Sequence, residues 1–327
     1  MKYRRLGRTD LEVSEIVFGA GWVGGVLIHH DAEVGRSALR LAREAGVNWI
    51  DTAPSYGDGI SERVLGELLP ELDWNPYLST KFHVDPASDR PVSEQIEESV
   101  GRSLARLNRT SVDLLQLHNP LGAGSDARRL AVDRVLEPGG VADALDDLKR
   151  RGLTRYAGFT ANGDADSLKR MVTSARFDTA QVYYNMLNPS AGRAVPAGWS
   201  TIDFGNVIAH CETCDVGVFV IRVLAAGVLA TATRTGREIP MYASADMASE
   251  ELRARAAWDA IDGEPGSRAQ AAIRFVLDDR RVHGVLVGAN LPEHVSEAAA
   301  AVDMAPLQPD TGTALRRLYA SDFGQLD

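Results

Sequence analysis

Apolar residues in this chain fall into eight short runs, separated by longer stretches in which they recur every three or four positions. The runs are Ile16–Phe18, Val47–Ile50, Tyr77–Thr80, Val112–Leu117, Tyr156–Phe159, Ala180–Tyr183, Val216–Ile221 and Val285–Val287. They are nearly continuous rather than alternating, as expected of strands covered on both faces. The stretches between them read as helices. Asp31 is an N-cap for Ala32–Ala45, with Gly46 as its stop. Ser61 opens Glu62–Leu69, which Pro70 ends. Over Val92–Leu107 the spacing puts Ile96, Val100, Leu104 and Leu107 on one face. Val141–Arg151, Ala165–Ala175, Phe204–Cys214, Ser267–Asp279 and Glu293–Ala301 complete the set.

Eight strands alternating with eight helices predict an α/β fold, a (β/α)₈ TIM barrel. A short hairpin, Tyr3–Leu6 and Leu11–Val13 about the turn Gly7–Asp10, precedes the repeat and is placed to cap the barrel bottom. No linker or composition break divides residues 1–327, so a single barrel domain is expected. The alternative, an open doubly wound sheet, calls for a G-x-G-x-x-G turn after the first strand, and Gly19–Gly25 lacks that spacing. The stretches 119–138 and 231–266 are long for βα loops and are expected to form lids or extra helices at the mouth.

Three ionisable residues follow three successive strand runs: Asp51, Lys81 and His118. Tyr56 lies five residues beyond Asp51. In a parallel barrel every strand C-terminus opens on one mouth, so these four residues meet although some 70 residues separate them. A phenol titrates near ~10, too high for easy proton exchange at neutral pH, and an adjacent ammonium stabilises its anion. A carboxylate would hold that ammonium, and a histidine would orient a carbonyl oxygen against the phenol. The set suits carbonyl reduction or alcohol oxidation.

Charge and composition narrow the partners. With 35 basic and 45 acidic residues the net charge is −10, which argues against nucleic acid as a partner. No apolar run approaches the ~18 residues of a membrane span, and the N-terminus has no signal-like apolar stretch. With only two cysteines no disulfide framework is expected. A cytoplasmic setting fits all of this. Cys211 and Cys214 form a C-x-x-C at a helix C-terminus, where no dipole lowers a thiol pKa, and read as structural. His29-His30 lacks the carboxylate–histidine partners of a metal site, so no metal is expected.

The stretch Gly46–Gly57 with Ser61–Gly66, and the segments Ser79-Thr80-Lys81, Val112–His118, Gln181–Asn185 and Tyr3–Thr9, resemble the aldo-keto reductases over essentially the whole chain. Within that family the chain is most similar to the branch that includes sugar 1-dehydrogenases. The resemblance implies an NAD(P)-dependent barrel oxidoreductase with Asp51, Tyr56, Lys81 and His118 as catalytic tetrad and Tyr56 as the proton donor or acceptor. Its substrate would be a small aldehyde, ketone or sugar, with a sugar 1-dehydrogenase or a nicotinamide-binding redox sensor as alternatives. Thr160, Asn162 and Gln181 would hold the nicotinamide carboxamide, although Asn162 is displaced by one residue from the family position. Ile221 stands where the family carries a stacking tyrosine, and Arg222 beside it would face the pyrophosphate.

Gly19, Leu224 and Gly227 also fall in the implied cofactor set, and Gly288, Asn290 and His294 match the adenosine-phosphate loop. Asn290 and Leu291 offer no positive charge to a 2′-phosphate. This leans the reading towards NAD or dual use rather than NADP, unless His294 or a remote arginine supplies a clamp. Trp22, His83, Asn119 and Trp199 are candidate substrate-pocket residues, while Trp49 reads as core.

Overall fold

The computed structural model describes residues 1–240 and 246–326. Eight parallel strands close into a barrel: β1 (Ile16–Gly19), β2 (Trp49–Asp51), β3 (Tyr77–Phe82), β4 (Val112–Leu117), β5 (Thr154–Ala161), β6 (Thr179–Tyr183), β7 (Gly217–Ile221) and β8 (Gly284–Gly288). Neighbours in sequence are neighbours in the sheet, and β8 pairs back onto β1. Each of β1–β7 is followed by at least one helix before the next strand begins, and β8 by the helix Glu293–Ala300. After β7 the long segment adds the helix Met247–Ala260 before Arg268–Leu277. The other long loop carries a two-stranded parallel pair, Leu121–Gly122 with Leu130–Ala131, and the helix Val132–Leu136. Both long loops therefore do contain extra helices, although residues 241–245 of the second lie outside the described residues.

The hairpin pairs Tyr3–Arg5 with Glu12–Ser14. Its Leu6, Leu11 and Val13 join Val17, Trp49, Leu114 and Phe219 in a cluster that closes the barrel bottom. Gly7 has φ +50, and a Cβ there would lie 2.2 Å from the amide nitrogen of Gly217, so only glycine lets the turn seat against β7.

Strand periodicity then sorts side chains between helices and lumen. On β3, Leu78 and Phe82 are buried in the outer core, while Ser79 and Lys81 reach Asp51. Asp51 on β2 is level with Ser79 on β3, and Lys81 with Gln116 on β4.

Several helix ends depart from the sequence expectation. The helix after β2 runs Ile60–Glu71, capped by Gly59 at φ 80 rather than by Ser61. The Ser61 hydroxyl is instead spent on the carbonyl of Ala20 at 3.0 Å and on Thr52 at 2.8 Å. Pro70 sits inside the last turn, where it removes one amide without ending the helix. The helix expected from Phe204 starts only at Val207, because Gly205 and Asn206 both take positive φ. Cys211 is buried in that helix, and burial pushes its thiol up to about 12, the opposite of a reactive cysteine. Among the described residues no helix is long and apolar enough to cross a membrane.

Candidate active site

At the C-terminal mouth the Lys81 ammonium uses all three of its protons. It donates to Asp51 Oδ2 at 2.5 Å, to the Thr52 carbonyl at 2.8 Å and to the Tyr56 hydroxyl at 3.1 Å. Lys81 and Asp51 are both essentially inaccessible to solvent. Asp51 Oδ1 accepts from Ser79 Oγ at 2.7 Å, Gln181 Nε2 at 2.6 Å and Gln116 Nε2 at 3.2 Å. Both carboxylate oxygens are thus satisfied, as an ion pair at this depth requires.

Burial alone would lower the Lys81 pKa, but the adjacent Asp51 carboxylate, with Tyr56, outweighs it and holds the ammonium above its usual value. Tyr56 differs from expectation. Burial raises its pKa and Asp51 adds to that, while Lys81 pulls the other way and does not win. In this state the phenol keeps its proton, and Lys81 limits the rise rather than producing a net fall.

Tyr56 is carried on the loop after β2, with its amide bonded to the Ala53 carbonyl at 3.1 Å. His118 follows β4 and stands edge-on to the Tyr56 ring, with centroids 6.2 Å apart. Its other neighbour is His83, at 4.7 Å. Burial, then the charges of Lys81 and His83, hold the His118 pKa well below its usual 6.5, so the imidazole is neutral. Its Nδ1 is buried without a partner among the described residues.

Asp51, Tyr56 and His118 line a cavity of about 360 Å³. Gly19, Thr160, Asn162, Gln181, Arg222, Leu224 and Gly288 share that lining, as does Ile221, with Trp22 at the rim. Thr160 Oγ1 is buried with no partner among the described residues. It faces Gln181 across the β5–β6 register, so an unsatisfied hydroxyl and an amide stand side by side at the cavity wall. A carboxamide fits such a pair. At the β8 end the backbone of Gly24 abuts that of Gly288 and Ala289, where a Cβ on Gly24 would come to 2.7 Å. The lining residues fit a nicotinamide group at Thr160 and Gln181.

Other expected residues fall elsewhere. Arg222 lies at the cavity, but its guanidinium donates to the Ile239 carbonyl at 2.5 Å. Gly227, at φ +105, and the exposed His294 are not in the cavity lining. Asn290 stands beside β8, where its side-chain oxygen accepts from Arg237 and lies 3.4 Å from His30 Nε2. His83 and Asn119 line a second hollow of about 820 Å³ that shares His118 with the first. The Asn119 amide is committed to both backbone groups of Val84, each at 2.8 Å. Trp199 is away from both cavities, packed on Arg253 and Phe323.

Three participants escaped the sequence reading. Ser79 and Gln116 were legible in principle, since each lies two residues before a candidate at the same inward parity. Arg237 was not, because a long loop brings it to Asn290 and no local pattern encodes that.

The fold is a closed (β/α)₈ barrel with a buried lysine–carboxylate pair touching a phenol at its mouth. The model of the Aldo/keto reductase family matches residues 15–320, and the chain belongs to that family of NAD(P)-dependent oxidoreductases. It is similar to an L-galactose dehydrogenase of Arabidopsis thaliana, 26% identical over 309 residues, covering 92% of this chain and 88% of that one. It is also similar to a probable voltage-gated potassium channel subunit beta of Oryza sativa subsp. japonica, 27% identical, covering 94% and 93%. Among solved structures, the holo form of an aldo-keto reductase from Bacillus halodurans superposes with a TM-score of 0.74 at 22% identity, covering 98% of this chain and 96% of that one. At that identity the last likeness speaks for the fold.

Proposed function

We propose that this protein moves a hydride between nicotinamide and a small aldehyde, ketone or sugar, with Tyr56 as general acid in reduction and general base in oxidation. The observation that carries the reading is the Lys81 ammonium bonded at once to Asp51 and to the Tyr56 hydroxyl, at a cavity wall shared with His118. When bound, a nicotinamide supplies or accepts the hydride. Thr160 and Gln181 hold its carboxamide. Neutral His118 donates a hydrogen bond to the substrate oxygen, and the Tyr56 hydroxyl gives that oxygen its proton. Lys81 stabilises the phenolate left behind, and Asp51 fixes Lys81. The raised Tyr56 pKa keeps the proton in place at neutral pH, which favours reduction. The chain acts in a cytoplasmic setting as one barrel domain.

The sequence lean towards NAD rested on the lack of a positive charge near Asn290. Arg237 supplies that charge, and its Nε is buried without a partner among the described residues. We therefore assign use of both NADP and NAD, with Arg237 as the remote arginine that meets a 2′-phosphate.

Two other readings have specific support. Likeness to an L-galactose dehydrogenase favours a sugar 1-dehydrogenase working oxidatively. Likeness to a potassium channel subunit beta favours a nicotinamide-binding redox sensor with little turnover. One experiment separates them: titrate the protein with NADH and NADPH by fluorescence quenching, then offer aldehydes, and aldoses with the oxidised cofactors. Turnover of aldehydes supports the reductase, and turnover confined to aldoses the dehydrogenase. Tight binding without turnover supports the sensor, and binding of neither cofactor refutes all three.

A further inference from the structure

Three hollows meet over the barrel mouth. The catalytic cavity shares His118 with the second hollow, and it shares Asn162 and Ile239 with another of about 950 Å³. Those two outer hollows share a short wall, Pro120 with Ala127 and Arg128. Arg128 is therefore the charged residue that borders both outer hollows, each of which shares lining residues with the catalytic cavity.

Its backbone is held from both sides. The Arg128 amide donates to Asp126 Oδ1 at 2.9 Å, and its carbonyl receives Asn119 Nδ2 at 3.5 Å. Asn119 is in turn fixed to Val84, three residues past Lys81. The other arginines of this loop are occupied. Arg129 pairs with Asp126 at 3.9 Å and Arg134 with Glu137 at 3.2 Å. The Arg128 guanidinium makes no hydrogen bond or ion pair among the described residues.

The remaining groups on these walls do not duplicate it. Arg90 and Arg102 are both spent on Glu98. Burial, aided by Lys81, keeps the His83 and His118 pKa values below their usual 6.5, so neither offers a charge at neutral pH. Asp85, Asp164 and Asp203 each turn back to accept a backbone amide of their own loop or helix, from Ala87, Ser167 and Gly205. A planar five-donor cation thus stands exposed on the wall between the two outer hollows, its charge felt by Asp126 but its donors without a hydrogen-bond partner among the described residues, an arrangement suited to an oxyacid anion.

We propose that Arg128 is a substrate clamp, and that the substrate is a short aldehyde or ketone carrying an anionic oxyacid group, carboxylate or phosphate, at the end remote from its carbonyl. The inference rests on the reductase reading and narrows its substrate class. The carbonyl would sit between Tyr56 and His118, with the chain passing over His83 to Arg128.

The test compares matched substrates in wild type, Arg128→Gln and Arg128→Lys. Butanal is set against succinic semialdehyde, and glyceraldehyde against glyceraldehyde 3-phosphate. In wild type one anionic member exceeds its neutral counterpart in kcat/KM, and the pair that shows this says whether carboxylate or phosphate is meant. In Arg128→Gln that ratio falls by about 30-fold, the loss expected of one charge-assisted contact, and KM carries the change. Arg128→Lys recovers part of it. A ratio near one in wild type, or a ratio unchanged by Arg128→Gln, overturns the clamp. Calorimetric binding of succinate and of glycerol 3-phosphate provides a readout that needs no turnover. Binding lost in Arg128→Gln supports the clamp even if no carbonyl is reduced, in which case the reductase reading fails alone. Equal binding in both proteins, or none in either, overturns the clamp.

Discussion

Replacing Lys81 by methionine keeps the bulk of the side chain and removes its charge. Asp51 would still accept from Ser79, Gln116 and Gln181, but its counter-ion would be gone at a site sealed from solvent. Breaking a buried pair from one side costs about 3–5 kcal/mol, because the surviving charge stays buried. Unfolding entropy of about 2.1 cal/mol/K per residue, over 327 residues, converts that to a fall in Tm of about 4–7 °C. Thermal melts of wild type and Lys81→Met at neutral pH read the effect. A Tm within about 1 °C of wild type at neutral pH would refute the account of a fully buried pair.

Further outcomes follow from the same geometry. His83 and His118 are held below their usual 6.5 and His283 down to about 4, in each case first by burial. Below about 6.5 the unfolded chain binds protons that the native state refuses, so stability measured by denaturant melts falls as pH drops towards 4 and is level above 6.5; a flat profile would contradict this. Because the Tyr56 pKa lies above its usual 10, oxidation of an alcohol should quicken as pH rises, while reduction holds and then falls only above 10. Initial rates in both directions check this, and oxidation that slows with rising pH would count against it. Arg237→Leu should weaken NADPH binding about 10- to 100-fold and leave NADH little changed, as read by fluorescence titration. Equal weakening of both would remove Arg237 from the 2′-phosphate.

The barrel was legible because eight short apolar runs alternate with helical periodicities along the chain. The helix Val92–Leu107 shows how far that goes, for its four expected apolar positions are all buried. The helix at Ile60 shows where it stops. Ser61 looks like a cap by residue type, yet its hydroxyl serves the loops around the mouth, and a glycine at positive φ starts the helix instead. Asp51, Lys81 and His118 announced themselves as polar endings to apolar strands, and Tyr56 by its spacing from Asp51. Their supports did not, since Gln116 and Gln181 reach Asp51 across a barrel that only exists once closed. Trp199 looked like a pocket wall by type but packs on Arg253 and Phe323, which come from distant segments. The direction of the Tyr56 shift was misjudged for a similar reason: the lysine is evident in sequence, while the burial that outweighs it appears only in the packed site.

The central claim is that Tyr56 delivers the proton that accompanies hydride transfer. It is tested most directly by a single-turnover experiment, in which protein saturated with reduced cofactor is mixed with excess aldehyde and the loss of reduced-cofactor absorbance is followed. The account predicts a rapid full-amplitude phase in wild type. In Tyr56→Phe it predicts unchanged cofactor binding and a phase slowed by about 10²–10⁴, the range for loss of one general acid. A Tyr56→Phe rate within a few-fold of wild type would contradict it and assign the proton to another group.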